Sequence, residues 1–572
     1  MKKIFSIIST TVLILGVSSC SDSYLEDMNT DKSKATSMDA NALLTNALLQ
    51  PYGDFGLMDT YRSYITGFTQ HLAGGWNVTN YAGSVHADNN QMRLVWDQFY
   101  TVGIKNLVDG ISNSADQPNL NAILRIHFVY MISILTDIYG DVPCLEAARG
   151  YVDGKYTPVY DSQKDIYDFF FTELAACVAQ LGVGSDVVTG DVTAYNGSVA
   201  QWKKYANSLR MRFAMRISGV EPEKARAEFE AALADEAGYI ASAADDAYVR
   251  YIDGPFTLYE GSRDLDFRVN ALGEMLYGQD PESPSFVCAT LYNQLKNSYD
   301  PRLYRIVRHY INTKRSDLTP DAGNIDVTDE VRAWEASEGG GSHPCNPGAA
   351  WYSNWVNAPA TELIPTLAAL VEQDPNAGYD KNNYPARMIR PFLSVEFERP
   401  DCPGIIITSA EVKFLLAEAA LKGWNVAGSP EDYFYAGVAA SMELLNTHYL
   451  PDEQRISTEE IATFIESLSA APVDVEAINT QAWILHLTNP AEAWANLRRS
   501  DYPIIMDRTK LDTFGDFTYD GDLHTPNRLK YPNDEAKYNF ANYSAAIANY
   551  SEDGTDDWHA RLWWDTDDIH VQ

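Results

Sequence analysis

Two short stretches of this chain combine flat aromatic rings with amide and hydroxyl groups. The first is His71-Leu72-Ala73-Gly74-Gly75-Trp76-Asn77 followed by Tyr81, and the second is Trp351-Tyr352-Ser353-Asn354-Trp355. Such a mixture offers non-covalent recognition. A sugar ring presents an apolar C–H face that stacks on Trp or Tyr, while its hydroxyls need Asn, Asp, Gln or Arg. Trp76, Asn77, Tyr81, Trp351, Tyr352 and Trp355 are therefore the candidate ligand-binding residues. Aromatic side chains also pack beneath their own loops, and with 12 Trp and 35 Tyr in the chain most must be structural.

Covalent chemistry leaves weaker traces. A glycosidase needs two carboxylates at a set separation, one with a raised pKa, but 79 acidic residues supply such pairs anywhere. The sequence holds no GxSxG elbow, HExxH, Walker A loop, GxGxxG or EF-hand loop. Its 10 histidines show no metal-ligand spacing. The expectation is a binding protein, not an enzyme, with no metal and no cofactor. His127, within an apolar run, reads as a hydrogen-bonded core histidine and Asp141 as a turn residue. Trp96 and Trp494 read as core, and Trp558, Trp563 and Trp564 as docking the C-terminal tail.

The chain opens with Lys2 and Lys3, an apolar run from Ile4 to Val17, and then Val17-Ser18-Ser19-Cys20. A positive start, a short apolar stretch and small residues before a cysteine make a secretory signal ending in a lipobox. Residues 1–19 are thus expected to be removed, leaving Cys20 lipidated. Several acyl chains give lasting anchorage where one is marginal. Residues 20–38 read as a polar tether, and 39–572 as a single body with no further apolar run of spanning length. Net charge is −36, so nucleic acid is an unfavourable partner. The five other cysteines, Cys144, Cys177, Cys288, Cys345 and Cys402, lack CxxC spacing and read as small buried apolar residues.

Helices must position these groups. Asn121–Tyr139 is apolar almost all round, so it reads as a buried helix ended by Gly140 in the left-handed region and by Pro143. Asp161–Leu181, Ser198–Ser218 and a short helix from Pro222 follow. Thr408-Ser409-Ala410-Glu411 reads as a capping box before Val412–Lys422, with Glu418 and Lys422 paired along the helix. Asn489-Pro490-Ala491-Glu492 reads as a second start, Glu492 folding back toward the cap, with Arg498 and Arg499 facing the C-terminal dipole. Between the helices lie apparent long loops, Phe68–Asn90, Tyr251–Asn270 and Asp321–Tyr384. The pattern is mainly α: a tetratricopeptide-like scaffold of helical hairpins, without a strict period, whose long loop insertions form a ligand face.

Tyr139-Gly140-Asp141-Val142-Pro143 resembles the "fGDvP" segment of SusD/RagB proteins, and Asp300-Pro301-Arg302-Leu303 their "DPRL" segment. Ser409–Ala420 is similar to their "aEv.fl.AEA" helix. Glu492-Ala493-Trp494, Arg498-Arg499, Tyr502-Pro503, Pro526–Leu529, Tyr531-Pro532 and Leu562–Asp565 resemble the starch-binding, outer-membrane-associated branch. Cys144 stands where Leu is usual, and Asn527 where Arg is frequent. The resemblance runs in order along nearly the whole chain. It implies a helical body with four tetratricopeptide-like helix pairs, a ligand face of loops and a SusC-like TonB-dependent transporter as partner. The lipoprotein would act as a hinged lid that captures a glycan or oligosaccharide outside the outer membrane and delivers it to the barrel. The acidic residues after Cys20 resemble surface-export signals. Two other readings stay open: capture of a peptide by the same architecture, as in RagB-like members, and a surface glycoside hydrolase.

Overall fold

A computed structural model describes residues 38–74, 76–254, 267–273, 285–312, 324–337, 342, 344–348, 391–510 and 523–572. Its main helices are α1 (Ala40–Gly53), α2 (Ile104–Ser112), α3 (Pro118–Tyr139), α4 (Gln163–Gln180), α5 (Val199–Arg216), α6 (Pro222–Ala234), α7 (Ser409–Leu421), α8 (Pro430–His448), α9 (Thr458–Leu468), α10 (Val475–Leu485) and α11 (Pro490–Ser500). Sequential helices pack as hairpins: α3 on α4, α5 on α6, α7 on α8, and α10 on α11. Further contacts of α4 with α5, of α5 with α7 and of α7 with α10 join them into one stack. Ala40–Gln572 forms one compact unit. Strands are short antiparallel pairs, among them Leu72–Ala73 with Phe286–Val287 and Ala247–Val249 with Gly404–Ile407.

The fold is mostly helical, as the sequence pattern indicates. Against expectation, α3 is a further apolar run of spanning length, although 94% of its apolar window is buried inside the protein, so it is the core helix. His127 is fully buried on it and its Nε2 lies 2.9 Å from the Ala47 carbonyl. Trp96, Trp494 and Trp564 are buried, as are all five described cysteines, which are unpaired with one another. Asp141 is a turn residue: it accepts from the Gln163 backbone at 2.8 Å and from Asn549 Nδ2 at 2.7 Å.

Several local expectations give way to tertiary contacts. Gly140 ends α3 at φ 96° and ψ −127°, outside the left-handed helical region but still glycine territory. Thr408 does cap α7, accepting from Glu411 N at 3.4 Å. The Glu411 side chain does not fold back, however; it takes a bidentate pair from Arg212 at 2.6 and 2.7 Å. Glu492 likewise leaves its cap for Arg216, at 2.7 Å. Glu418 lies 3.6 Å from Lys422, but its close partner is Arg499 at 2.7 Å. Arg498 is buried and donates to the Asp137 carbonyl at 2.7 Å and the Asn527 carbonyl at 2.6 Å. A buried charge must be paired and bonded, and those demands outrank a cap or a dipole contact of about 1 kcal/mol.

Candidate functional site

The stretch read as a loop from Phe68 to Asn90 is in part helical. A π-helical turn (Tyr61–Ile65) runs on to Phe68, the chain reverses at Gln70 (φ 57°), and helix resumes at Trp76–Val78 and as a π-helical turn at Thr79–Gly83. Trp76 and Asn77 therefore sit on a helical turn. Tyr81 closes onto the next turn, where the His86 backbone donates to its carbonyl at 3.0 Å. Its ring stacks with the His86 imidazole, centroids 6.4 Å apart and planes 26° apart. Tyr81 is half-buried and His86 exposed, so the pair faces solvent. Buried Tyr64 supports Tyr81 from behind at 5.7 Å and is fixed by bonds to the His86 carbonyl (2.8 Å) and from the Asp88 backbone (2.9 Å). Burial raises the pKa of the Tyr81 hydroxyl, and the charges of Asp88 and Asp59 add to this, keeping it a neutral donor and acceptor.

Asn77 has a partner inside the protein. With its amide turned so that Oδ1 faces the guanidinium, it accepts from Arg62 Nε at 3.1 Å, and Arg62 in turn pairs with buried Asp59. His71 is core: it is fully buried, its Nε2 lies 3.1 Å from the Trp483 carbonyl, and burial pushes its pKa down to about 3.

The backbone that leads to the second stretch, Cys345 and Gly348, packs against the first. Cys345 is held on the first stretch: the Cys288 backbone donates to the His71 carbonyl at 2.9 Å, and Ala289 donates to the Cys345 carbonyl at 2.7 Å. A Cβ on Gly74 would stand 2.9 Å from Cys345 Sγ, and a Cβ on Gly83 would stand 3.0 Å from Gly348 Cα. Gly83 and Gly348 thus touch backbone to backbone, with Trp351 three residues further along the chain. Trp351, Tyr352 and Trp355 themselves lie outside the described residues, as does the Trp76 side chain.

A third region completes the surface and was not legible in the sequence. A cleft of about 440 Å³ is lined by Met506, Arg508, His524, Asn527, His559 and Val571, among others. Buried Arg508 joins it to the Tyr81 turn by donating to the carbonyls of Ala82 and, at 3.0 Å, Gly83. Next to His559, Trp558 packs edge-on against Tyr64 (6.4 Å) and Phe68 (6.3 Å). Trp558 therefore docks the tail and also backs the site. Single Arg and His residues in an irregular segment carry no periodic signal that could have marked them. Among the described residues no group of three His, Cys, Asp or Glu could hold a metal ion. A stacked ring pair, fixed amides and an open cleft can bind and orient a polar ligand that has apolar faces.

The hairpin stack and this surface define a helical binding body. A family described as "Starch-binding associating with outer membrane" matches residues 32–329, and one described as "Susd and RagB outer membrane lipoprotein" matches residues 376–565. A solved "Bacteroidetes AC2a SusD-like" structure is 37% identical, with TM-score 0.82, over 93% of this chain and 100% of its own. A structure named "chitin-binding protein" is 30% identical, with TM-score 0.70, over 92% and 100%. A chitin-binding SusD homologue from Flavobacterium johnsoniae is 20% identical, with TM-score 0.64, over 92% and 98%, a likeness of fold alone. No protein of curated function matches the chain. The chain belongs to the SusD/RagB family of outer-membrane lipoproteins.

Proposed function

We propose that this protein captures a glycan at the outer membrane, performs no chemistry on it, and hands it to a SusC-like TonB-dependent transporter. Cys20 is its lipid anchor once residues 1–19 are removed; residues 20–38 are the tether, and the body from 39 to 572 faces the cell exterior. One observation carries this reading: the Tyr81 turn and the foot of the Trp351 segment meet at Gly83 and Gly348 beside an open cleft. On this reading the Trp351 segment runs on from that contact and adds its aromatic rings to those of the Tyr81 turn, as a sugar requires. Trp76, Asn77, Tyr81, Trp351, Tyr352 and Trp355 are the proposed contacts, with Asn77 acting largely by ordering Arg62. The 30% identical relative is named for chitin, so β-linked N-acetylglucosamine chains are the first glycans to try.

The test is affinity gel electrophoresis of the chain from Ser21 onward against soluble polysaccharides, glycol chitin included, with the same mixtures assayed for new reducing ends. Retardation by a glycan without new ends is expected. Tyr81→Ala and Trp351→Ala should each weaken it about tenfold, or ~1.4 kcal/mol. New reducing ends would overturn the non-catalytic role. Retardation by none of the glycans would overturn glycan capture.

A further inference from the structure

A second aromatic cleft lies on the segment that follows α3. It encloses about 430 Å³ and is lined by Trp96, Tyr100, Lys105, Tyr151, Tyr156 and Glu535, among others. Volumes of this order are typical of small-ligand sites. Tyr151 and Tyr156 are 82% and 81% exposed, whereas the tyrosines of the helical core are buried. Leu145, Val152 and Val159 are exposed on the same segment, and Tyr538 and Phe540 on the one beside it. The two segments are joined where Asn539 Nδ2 donates to the Pro158 carbonyl at 2.8 Å. Apolar groups gathered at one place on a monomer's surface mark a site of contact.

The tyrosines are held in place. Arg149 and Asp153 pair at 2.8 Å across the turn, Lys155 and Glu146 pair at 2.8 Å, and Glu146 also accepts from the Val159 backbone at 3.3 Å. Gly154, at φ 77°, makes the reversal between them. Gly150 lets the Tyr156 ring lie against the backbone, where a Cβ would stand 3.1 Å from Tyr156 Cε1. The floor is Trp96, packed edge-on against Tyr100 at 4.9 Å. Lys105 Nζ stands 5.0 Å over the Tyr151 ring, and Glu535 accepts from the Tyr160 hydroxyl at 2.7 Å. The turn that carries the two rings is thus set before a ligand arrives, which favours affinity.

We propose that this cleft is a second glycan-binding site for a neutral saccharide, with rings stacked on Tyr151 and Tyr156 and hydroxyls bonded by Lys105, Lys155 and Glu535. The identity of the ligand rests on the glycan reading above; the site rests on its own residues. A protein partner fits less well, because interface cores are depleted of Lys and Glu and both stand in these walls. An acidic glycan fits less well too, since Lys155 is paired with Glu146 and Glu535 opposes further negative charge.

The experiment is isothermal titration of the chain from Ser21 onward with chito-, cello-, xylo- and maltohexaose, run on wild type, Tyr81→Ala and the double variant Tyr151→Ala/Tyr156→Ala. Both tyrosines of the double variant are exposed, so its melting curve should match wild type and exclude misfolding. Two binding events are expected in wild type; the double variant should lose one, and Tyr81→Ala should weaken the other about tenfold, with polygalacturonate failing to compete at the site that Tyr81→Ala leaves at full affinity. If wild type shows a single binding event that Tyr81→Ala weakens and the double variant leaves unchanged, the cleft is not a glycan site while glycan capture stands. A double variant that binds glycan unchanged but sediments as a different oligomer makes the patch a protein interface and overturns the proposal. If wild type binds none of the four sugars, both readings fall together.

Discussion

Two regions of this molecule use the same side chains to opposite ends. In the scaffold, the segments that carry the family resemblance are polar locks. Buried Arg302, of the Asp300-Pro301-Arg302-Leu303 segment, chelates Asp300 and reaches Gln481 and Ser441 across helices. Buried Arg528 donates to the Tyr139 carbonyl at 2.8 Å and pairs with Asp556 at 2.5 Å. Arg498 lies 3.8 Å over the Trp494 ring. In the two proposed binding regions, Tyr81 with His86, and Tyr151 with Tyr156, present rings to solvent. The lesson is one of environment: an arginine on an aromatic ring is cement when dry, and an aromatic ring beside a polar group is a binding surface when wet. The segments that carry the family resemblance thus serve mainly to lock the scaffold, with Asn527 alone of their residues among those named for the first cleft.

The comparison breaks most sharply at the Arg212–Glu411 pair. Burial works to raise the pKa of the Glu411 carboxyl, but the Arg212 charge and contact with His486 outweigh it and hold the group well below the usual range. Arg212→Ala leaves that carboxylate buried and unpaired, which should cost about 3–5 kcal/mol. Urea unfolding should show it as a large fall in midpoint. If Arg212→Ala unfolds near the wild-type midpoint, the charged core is not the lock described above.

Gly83→Val sharpens the other side. Its side chain would meet the Gly348 backbone at 3.0 Å and the Val78 carbonyl at 3.1 Å, neither of which can swing away as a flexible side-chain tip can. The strain should be about 1–3 kcal/mol, released by pushing the foot of the Trp351 segment off the Tyr81 turn. Glycan affinity should fall several-fold while the melting temperature moves by a few degrees. Unchanged affinity would separate the two stretches functionally.

The smallest effect is one of pH. Burial raises the Asp246 carboxyl from 3.8 to about 6, although it accepts from the Ser409 backbone at 2.6 Å at the start of α7. A carboxyl with a raised folded pKa holds its proton in the folded state after the unfolded chain has released its own. Between about pH 4 and 6 the folded state therefore binds more protons, and this residue's contribution to stability falls as pH rises through that window. Asp246→Asn should flatten that part of the stability curve, and it should raise the unfolding free energy at pH 7 modestly. An unaltered pH profile would remove Asp246 from the account.

Much of the scaffold was legible because it is periodic. The all-round apolar run of Asn121–Tyr139 could only be a core helix, and Thr408 and Asn489 start α7 and α11 where their spacing indicates. Their acidic partners were misread because a local rule cannot see a buried arginine on another helix. Within Phe68–Asn90 the helical turns of Trp76–Gly83 were missed because a π-helical turn with a glycine lacks both helix and strand periods.

The sequence by itself determined the helical class, the order of the hairpins and the chemistry available in the aromatic stretches, since each depends on neighbours within a turn or two along the chain. Only the tertiary structure decided which aromatic rings stay wet. It placed Gly348 against Gly83, brought Arg508 from the far end of the chain to the Tyr81 turn and left Tyr151 and Tyr156 facing solvent. Burial and convergence are properties of packing between segments hundreds of residues apart, and no local pattern encodes them.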